Sequence, residues 1–376
     1  MKNSNSEIKR RNKISTFREL LRCGQATKPE LAARLHLSLP TIGLLISELV
    51  EQGMVREDGM ADSEGGRRAV CYCAETKKKL ALGVDITKNH IGMTLLDLRG
   101  DVIGSSRIKI PFENSDDYDE KMNTFIRNFL QNCQVEEESL IGTGYSVPGI
   151  VSLDRSRLEL SHILQVLRPD SFVPDHRLSC PYLCFNDADA ACMLECYERD
   201  DLDNFVFISL SNTVGGALVF NKEIQRGVNG RCGEIGHMCV VPGAKGRMCY
   251  CGKRGHYDAY GSAELLAQKA NGNLKEFFRR VEQGDPELNA FLDEYLEMLA
   301  VVTQNMAMFT DMNIVIGGYV GEYLEPYLDR LKEKVSQMDN LQFVSTKHIH
   351  LCGRHGFGAA AAGSALYFIE EFIQNV

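Results

Sequence analysis

A pattern of short strands joined by tight turns occurs twice in this chain, and it strongly limits the available folds. Residues 80–110 (LALGVDITKNHIGMTLLDLRGDVIGSSRIKI) predict three strands with a turn at 99–101. Residues 204–227 (NFVFISLSNTVGGALVFNKEIQRG) repeat this pattern, and helical sequence follows each copy. Strands and helices that alternate in this way pack as α/β layers. The sequence therefore predicts an α/β protein with two similar lobes and a cleft between them.

Residues 1–74 lack this pattern and predict a winged helix-turn-helix domain. In TKPELAARLHLSLPTIGLLISELVEQGMV, Thr27 and Ser38 each precede a helix, and each helix has a proline in its first turn. The short turn HLS joins the two helices, as in a helix-turn-helix, whose second helix enters the major groove of DNA. EQGMVREDGMADSEGGRRAVCYCA then predicts a two-stranded wing. The expected DNA contacts are Ser38, Pro40, Thr41, Gly43, Arg67 and Arg68.

The charge distribution agrees with DNA binding by this end of the chain. The whole chain has a net charge of −9, but residues 1–69 contain 12 basic and 9 acidic side chains. An acidic body with a locally basic end fits a DNA-reading module attached to another domain. The alternative for residues 1–74 is a small helical module that binds another protein.

The cysteines and the N-terminus predict a cytoplasmic protein with reduced thiols and no membrane partner. The N-terminus, MKNSNSEIKRRNK, lacks the apolar stretch of a signal peptide. The longest weakly polar stretch, 357–369, is shorter than the roughly 20 residues that a membrane span needs. The chain contains 13 cysteines. In a cytoplasmic protein, cysteines that lie close together in the sequence are better explained as metal ligands than as disulfides.

One such cluster lies in residues 233–258, GEIGHMCVVPGAKGRMCYCGKRGHYD. Cys249 and Cys251 are flanked by His237 upstream and His256 downstream, a spacing that could chelate a metal. The alternative is four ordinary polar residues in a loop of a cysteine-rich chain.

The body of the chain resembles the ROK family of repressors, uncharacterised reading frames and sugar kinases. The matching pieces are LGVDI, VPGIVS, FNDADAA, GEIGHM, CYCGKRGH and IGGYVGEY, in family order across about residues 80–376. The resemblance implies the two-lobed actin-like (ribonuclease H-like) ATPase fold of the sugar kinases. We expect one lobe at 75–195 and a second, with the metal site, at 196–356. A C-terminal helix at 357–376 is expected to pack back on the first lobe.

The resemblance also implies a sugar site in the cleft. Asp187 stands where the family's kinases keep the catalytic base, which takes the proton from the attacking hydroxyl. Family sugar ligands match Glu234 and His237, and Asp258 stands where the family usually has Glu. The expected sugar-binding set is Asn186, Asp187, Glu234, His237 and Asp258. Taken singly, Asn186-Asp187 also reads as an ordinary helix N-cap.

The nucleotide side departs from the pattern of the kinases. Phosphate loops need glycines so that backbone amides can approach the phosphates. The kinases have Asp-x-Gly-Gly-Thr at the first hairpin, whereas this chain has Asp85-Ile-Thr-Lys88-Asn, and a glycine is also lost at the second hairpin. Gly317-Gly318 remain, either to line the nucleoside or to allow close strand–helix packing. We expect lost ATP binding and no enzymatic activity, with Asp187 then accepting a hydrogen bond from the sugar.

Zinc-type members of the family have a His followed by Cys-x-Cys-Gly-x-x-Gly-Cys. The resemblance therefore implies a structural Zn²⁺ held by His237, Cys249, Cys251 and His256, with His256 in place of the last Cys and Cys239 as a spare candidate. Glu234 lies three residues before His237, so a metal that orders this loop would also order the sugar-facing carboxylate.

Together these features predict a sugar-responsive transcriptional repressor that binds double-stranded operator DNA as a homodimer or homotetramer. A sugar or sugar derivative would be the effector. The main alternative is an ATP-dependent kinase for a hexose or N-acetylhexosamine with an appended DNA-binding module. A regulator that no longer senses a small molecule is a third possibility.

Overall fold

A computed structural model describes residues 5–61, 68–338, 346–353 and 358–376. The N-terminal part is a three-helix unit with a small antiparallel sheet whose strand order is β1-β3-β2. Its elements are α1 (Asn5–Cys23), β1 (Gln25–Thr27), α2 (Lys28–Leu35), α3 (Leu39–Glu51), β2 (Val55–Met60) and β3 (Val70–Ala74).

Local capping explains where the two central helices of this unit begin. The Thr27 side chain accepts a hydrogen bond from the Glu30 amide, and the Glu30 carboxylate accepts one from the Thr27 amide, which forms a capping box. Ser38 caps α3 through the Thr41 amide. The axes of α2 and α3 are bent by 115°, within the range of helix-turn-helix motifs. Strands β2 and β3 form the stem of the predicted wing, and Arg67 lies outside the described residues.

The first lobe contains a five-stranded sheet in the order β10-β7-β4-β5-β6, with β7 parallel to both β4 and β10. The helix that follows the first strand meander begins at Asp116, because the Ser115 hydroxyl accepts a hydrogen bond from the Tyr118 amide. The elements are β4 (Leu80–Ile86), β5 (Ile91–Asp97), β6 (Val102–Ile108), α4 (Asp116–Asn132), β7 (Leu140–Val147), β8 (Ile150–Val151), β9 (Leu158–Leu160), β10 (Tyr182–Asn186) and α5 (Asp187–Glu198).

The second lobe repeats this topology: its sheet has the order β13-β12-β11-β14-β15, an antiparallel meander followed by two parallel strands. The predicted repeat and the α/β class are therefore confirmed. The elements are β11 (Phe205–Leu210), β12 (Val214–Phe220), β13 (Glu223–Gln225), α6 (Asp258–Gly261), α7 (Ala263–Gln268), α8 (Leu274–Glu282), α9 (Pro286–Thr310), β14 (Asn313–Gly317), α10 (Gly318–Gly321), α11 (Leu328–Met338) and β15 (Ile349–Leu351).

The last helix, α12 (Ala359–Gln374), packs on β4, β7 and α5 of the first lobe. Glycines allow this close approach: a Cβ at Gly144 would lie 2.4 Å from the Ser364 carbonyl oxygen, and one at Gly363 would lie 1.7 Å from the Ala190 carbonyl oxygen. Within the described segments, every individual helix is too short or too polar to cross a membrane, although the bent pair α2–α3 meets the length and composition criteria.

The N-terminal unit and the first lobe share one hydrophobic core. Phe17 and Leu20 of α1 belong to the same buried cluster as Leu366 and Ile369 of α12. At the edge of this core, Arg18 pairs with Glu370 at 2.6 Å. The helix-turn-helix is therefore joined to the first lobe by apolar packing, not only by the chain.

Candidate functional site

A cavity of about 440 Å³ lies between the two lobes and brings together four of the five predicted sugar contacts. Asn186 and Asp187 come from the β10–α5 junction of the first lobe, whereas Glu234 and His237 come from a loop of the second lobe. Opposing lobes thus supply the polar groups, so a bound ligand would contact both.

Asn186 has a structural role at the start of α5. Its Oδ1 accepts hydrogen bonds from the amides of Ala188 and Asp189 at 2.9 and 3.1 Å. Its Nδ2 donates to the Gly149 carbonyl at 3.0 Å. One amide hydrogen remains for a ligand, so Asn186 acts mainly as a helix cap that positions its neighbour.

Asp187 has a strongly perturbed carboxyl group. Burial raises its pKa to about 7, and the nearby carboxylates of Asp85 and Glu234 act in the same direction. A hydrogen bond from the Ala188 amide, 3.0 Å from Oδ1, partly opposes this rise. Asp187 is therefore about half protonated near neutral pH, which is the range in which a carboxyl group exchanges protons with a hydroxyl.

The imidazole of His237 lies between the cavity and the cysteine cluster. Its Nε2 is 3.1 Å from the Tyr250 hydroxyl and 3.8 Å from Oε2 of Glu234. Its Nδ1 is 3.3 Å from Nδ1 of His256. Burial lowers its pKa, which favours the neutral, metal-ligating form. One nitrogen thus faces the ligand side and the other faces the cluster.

Asp258 does not join the other four predicted sugar contacts. It is only 6% exposed, and its Oδ1 accepts a hydrogen bond from the Val214 amide at 2.6 Å. Val214 itself lines the cavity, and the described lining does not include Asp258. The Asp258 carboxylate therefore binds the backbone of the cavity wall, and its predicted contact with a sugar stays a prediction.

The four predicted metal ligands lie together. One ligand atom from each of His237, Cys249, Cys251 and His256 falls within 4.8 Å of the others. The His237 and His256 nitrogens are 3.3 Å apart, and Cys251 Sγ is 3.2 Å from His256 Nδ1. Two nitrogens bound to a tetrahedral zinc would be about 3.3 Å apart, so the donor set fits this ion. Cys239, the spare candidate, is exposed and is not in this group among the described residues.

The protonation of the cluster is also relevant to metal binding. Burial raises the pKa of the Cys249 thiol to about 12, so this thiol is protonated when no cation is bound. A bound zinc would replace that proton and stabilise the loop. Arranged in this way, the cluster would hold the segment that presents Glu234 and His237 to the cavity.

Sequence reasoning missed two residues of this cavity. Burial raises the pKa of Asp189 to about 7, against the opposing influence of Arg226 and Arg155. Tyr250 lies between the two ligand cysteines, and its ring packs edge-on against His237 with centroids 5.4 Å apart. The alternation Asp-x-Asp at a helix start and the aromatic residue inside Cys-x-Cys were the available signals.

A second cavity of about 400 Å³ lies on the predicted nucleotide side, and Asp187 lines both cavities. It is lined by Thr87, Lys88 and Asn89, the turn that replaces the phosphate-binding glycines of the kinase pattern. Gly318 has a positive φ of 79°, and a Cβ there would lie 2.5 Å from the Leu210 backbone nitrogen. Close packing alone thus accounts for a glycine at this position.

The described residues include five of the six predicted DNA contacts. Ser38, Pro40, Thr41 and Gly43 are grouped at the start of α3, with Ser38 and Pro40 exposed and the other two half-buried. Arg68 is exposed and lies two residues before β3, the strand that leads back from the predicted wing.

Comparisons with known proteins agree with this architecture. The model of the ROK family matches residues 81–371. The xylose repressor of Bacillus subtilis (strain 168) is 26% identical over 385 residues, which cover 98% of this chain and 97% of that protein. The DNA-binding transcriptional dual regulator NagC of Escherichia coli (strain K12) is 23% identical over 277 residues, 72% of this chain and 67% of that protein.

Two solved structures show the fold. A ROK family transcriptional regulator, described as a homologue of the Escherichia coli MLC protein, superposes with a TM-score of 0.72 at 16% identity over 97% of each chain. A ROK family glucokinase from Streptomyces griseus, in complex with glucose and AMPPNP, gives a TM-score of 0.64 at 21% identity over 77% of this chain and 98% of that chain. The family match covers most of the chain, and the protein therefore belongs to the ROK family.

Proposed function

We propose that this protein is a sugar-responsive transcriptional repressor that binds operator DNA through α3 and a sugar or sugar derivative in the cavity between the lobes. The observation that carries this proposal is the continuous hydrophobic core between the helix-turn-helix and the lobe that bears Asp187. The full-length similarity to a protein named as a xylose repressor supports it. We also propose a homodimer or homotetramer, since operators with two-fold symmetry match dimeric proteins.

Two helices provide a physical path from the cavity to the DNA-binding unit. Helix α5 begins at Asp187 in the cavity, and near its other end the Tyr197 hydroxyl donates to the Arg99 carbonyl at 2.7 Å. Arg99 Nε in turn donates to the Leu21 carbonyl of α1 at 2.8 Å. A sugar that shifts the start of α5 would therefore shift α1 and the spacing of paired α3 helices.

Coupling of this kind needs only a modest free energy. An effector that favours one lobe arrangement by about 1–3 kcal/mol changes DNA affinity by roughly 5- to 150-fold. We propose that a structural Zn²⁺ at His237, Cys249, Cys251 and His256 holds the loop of Glu234 in its binding conformation. The free energy of sugar binding then drives the change in lobe arrangement and is not needed to order this loop.

The test is DNA binding by the full-length protein, measured by fluorescence anisotropy with duplexes from the region flanking its own gene. Xylose, glucose and N-acetylglucosamine are titrated in turn. We expect one sugar class to lower the affinity for DNA, and Glu234→Gln to abolish that response while DNA affinity stays unchanged. Absence of binding to every flanking duplex would contradict the proposal.

A second candidate function is sugar phosphorylation. The specific observation in its favour is the position of Asp187 at the junction of both cavities, with a pKa of about 7 that suits a general base. The substituted turn at Thr87, Lys88 and Asn89 counts against it. A coupled ADP-release assay across hexoses and N-acetylhexosamines tests it, and turnover that Asp187→Asn abolishes would establish a kinase.

A further inference from the structure

The recognition helix α3 exposes three large apolar side chains. Leu39 and Leu44 are 51% and 54% exposed, and Val50 is 39% exposed at the far end of the helix. The helix sequence LPTIGLLISELVE contains no Lys, Arg, His, Asn or Gln, the residues that most often form hydrogen bonds with base edges. Beside these apolar side chains, the helix exposes the hydroxyl of Ser47 and, at its last residue, the carboxylate of Glu51.

The hydroxyl groups of the helix are largely occupied by its own backbone and by each other. Ser38 Oγ accepts from the Thr41 amide at 3.3 Å and lies 2.7 Å from Thr41 Oγ1. Ser47 Oγ donates to the Gly43 carbonyl at 2.9 Å. Of these three hydroxyl groups, only one hydrogen, in the Ser38–Thr41 pair, remains for a base. Donation of hydrogen bonds to bases by these side chains is therefore limited to that one hydrogen, although their oxygens can still accept.

Charge and shape still allow this face to enter a major groove. Glu48 on the flank of α3 forms an ion pair with Lys9, which offsets its repulsion of phosphates. A Cβ at Gly43 would meet nothing within 4 Å, so the surface there is open. The 115° bend between α2 and α3 is that of a helix-turn-helix, in which the first residues of the second helix contact base edges.

We propose that α3 recognises thymine methyl groups, with Leu44 and Leu39 as the residues that determine sequence specificity. The inference rests on the proposed function and adds that the operator must present thymine methyl groups to α3. Among the base edges in the major groove, the apolar group is the C5-methyl of thymine. A leucine that covers this methyl removes apolar surface from water on both partners.

The experiment removes only the C5-methyl group of single thymines in the DNA. Duplexes bound by the full-length protein are selected from a random library, and each thymine of the selected half-site is then replaced by uracil. Affinity is measured by anisotropy at constant salt. Burial of one methyl predicts a loss of about three- to fivefold at each contacted thymine. In Leu44→Ala or Leu39→Ala, the penalty at the matching thymine should disappear, which is a double-mutant cycle across the interface.

The matched control is Val50→Ala, which shortens an exposed apolar side chain at the other end of the same helix and should leave every uracil penalty intact. DNA binding without a uracil penalty at any position would overturn the inference while the proposed function stands. If Leu44→Ala changes the oligomeric state and leaves the uracil penalties unchanged, the face contacts a second copy and the inference is wrong. Failure to select any duplex would overturn both proposals.

Discussion

Replacement of Asp187 by asparagine should stabilise the protein, and the gain should grow as the pH rises. The carboxyl group lines both cavities, and desolvation raises its pKa to about 7 in the folded state, against an ordinary value of 3.8. An acid whose pKa is raised by folding costs nothing below its unfolded pKa and destabilises the folded state fully above its folded pKa. Stability is therefore lost between pH 4 and pH 7, and Asp187→Asn removes this loss.

The size of the expected change in stability follows from the shift in the pKa of Asp187. At 1.36 kcal/mol per pKa unit, the rise from 3.8 to about 7 gives an upper limit of about 4 kcal/mol at pH 8 and about 1.6 kcal/mol at pH 5. Asparagine keeps an oxygen that can accept the Ala188 amide hydrogen, so the start of α5 should be preserved. The difference between variant and wild type should therefore increase by about 2–3 kcal/mol from pH 5 to pH 8.

Guanidinium chloride unfolding, followed by circular dichroism at pH 5, 6, 7 and 8, measures this difference. The control is Asp154→Asn, because hydrogen bonds from Ser152 and Ser156 lower the pKa of that exposed carboxyl to about 2. Its contribution to stability is lost only below pH 4, so the control should show no trend between pH 5 and pH 8. A gain for Asp187→Asn that is independent of pH would refute the reasoning.

Three further predictions concern the metal cluster, the recognition helix and the path between lobe and DNA-binding unit. Cys249→Ser should abolish stoichiometric zinc in the purified protein and lower its melting temperature, whereas Cys239→Ser should keep the zinc; a colorimetric zinc assay measures both. Gly43→Ala should stabilise the protein by about 0.5–1 kcal/mol, because alanine favours a helix interior more than glycine does; thermal unfolding measures this gain. The same change should weaken DNA binding, because the added methyl group lies on the open, groove-facing side of α3; fluorescence anisotropy measures this loss. Tyr197→Phe removes the hydrogen bond to the Arg99 carbonyl, at a cost of about 1 kcal/mol in stability. This variant should show a weaker effect of the sugar on DNA affinity, while its affinity for the sugar, measured by calorimetry, stays unchanged.

Much of the architecture was readable from local pattern. The two strand meanders follow from runs of apolar residues broken by turn residues. Helix α2 begins directly after its N-cap Thr27, because the capping box uses neighbours three residues apart. The four residues of the candidate metal cluster were also recognisable, since two of them form a Cys-x-Cys and the histidines lie within the same 20-residue segment. Such features depend on residues close in sequence, whose relative positions the backbone limits strongly.

Other features depend on packing between distant segments. Asp258 and Asp187 are both acidic residues of expected motifs, yet one carboxylate faces the Val214 amide and the other lines two cavities. The shared core of α1 and α12 joins residues about 350 positions apart, on both sides of the predicted boundary at residue 74.

The sequence by itself determined the fold class, the order of the motifs and the chemistry of the residues available to hold a metal, a sugar and DNA. Only the tertiary structure decided which carboxylates face the cavity, which pKa values are raised and how the DNA-binding unit is attached. The physical reason is that desolvation and charge–charge interactions depend on three-dimensional distance and burial, and local sequence patterns do not specify these between distant segments.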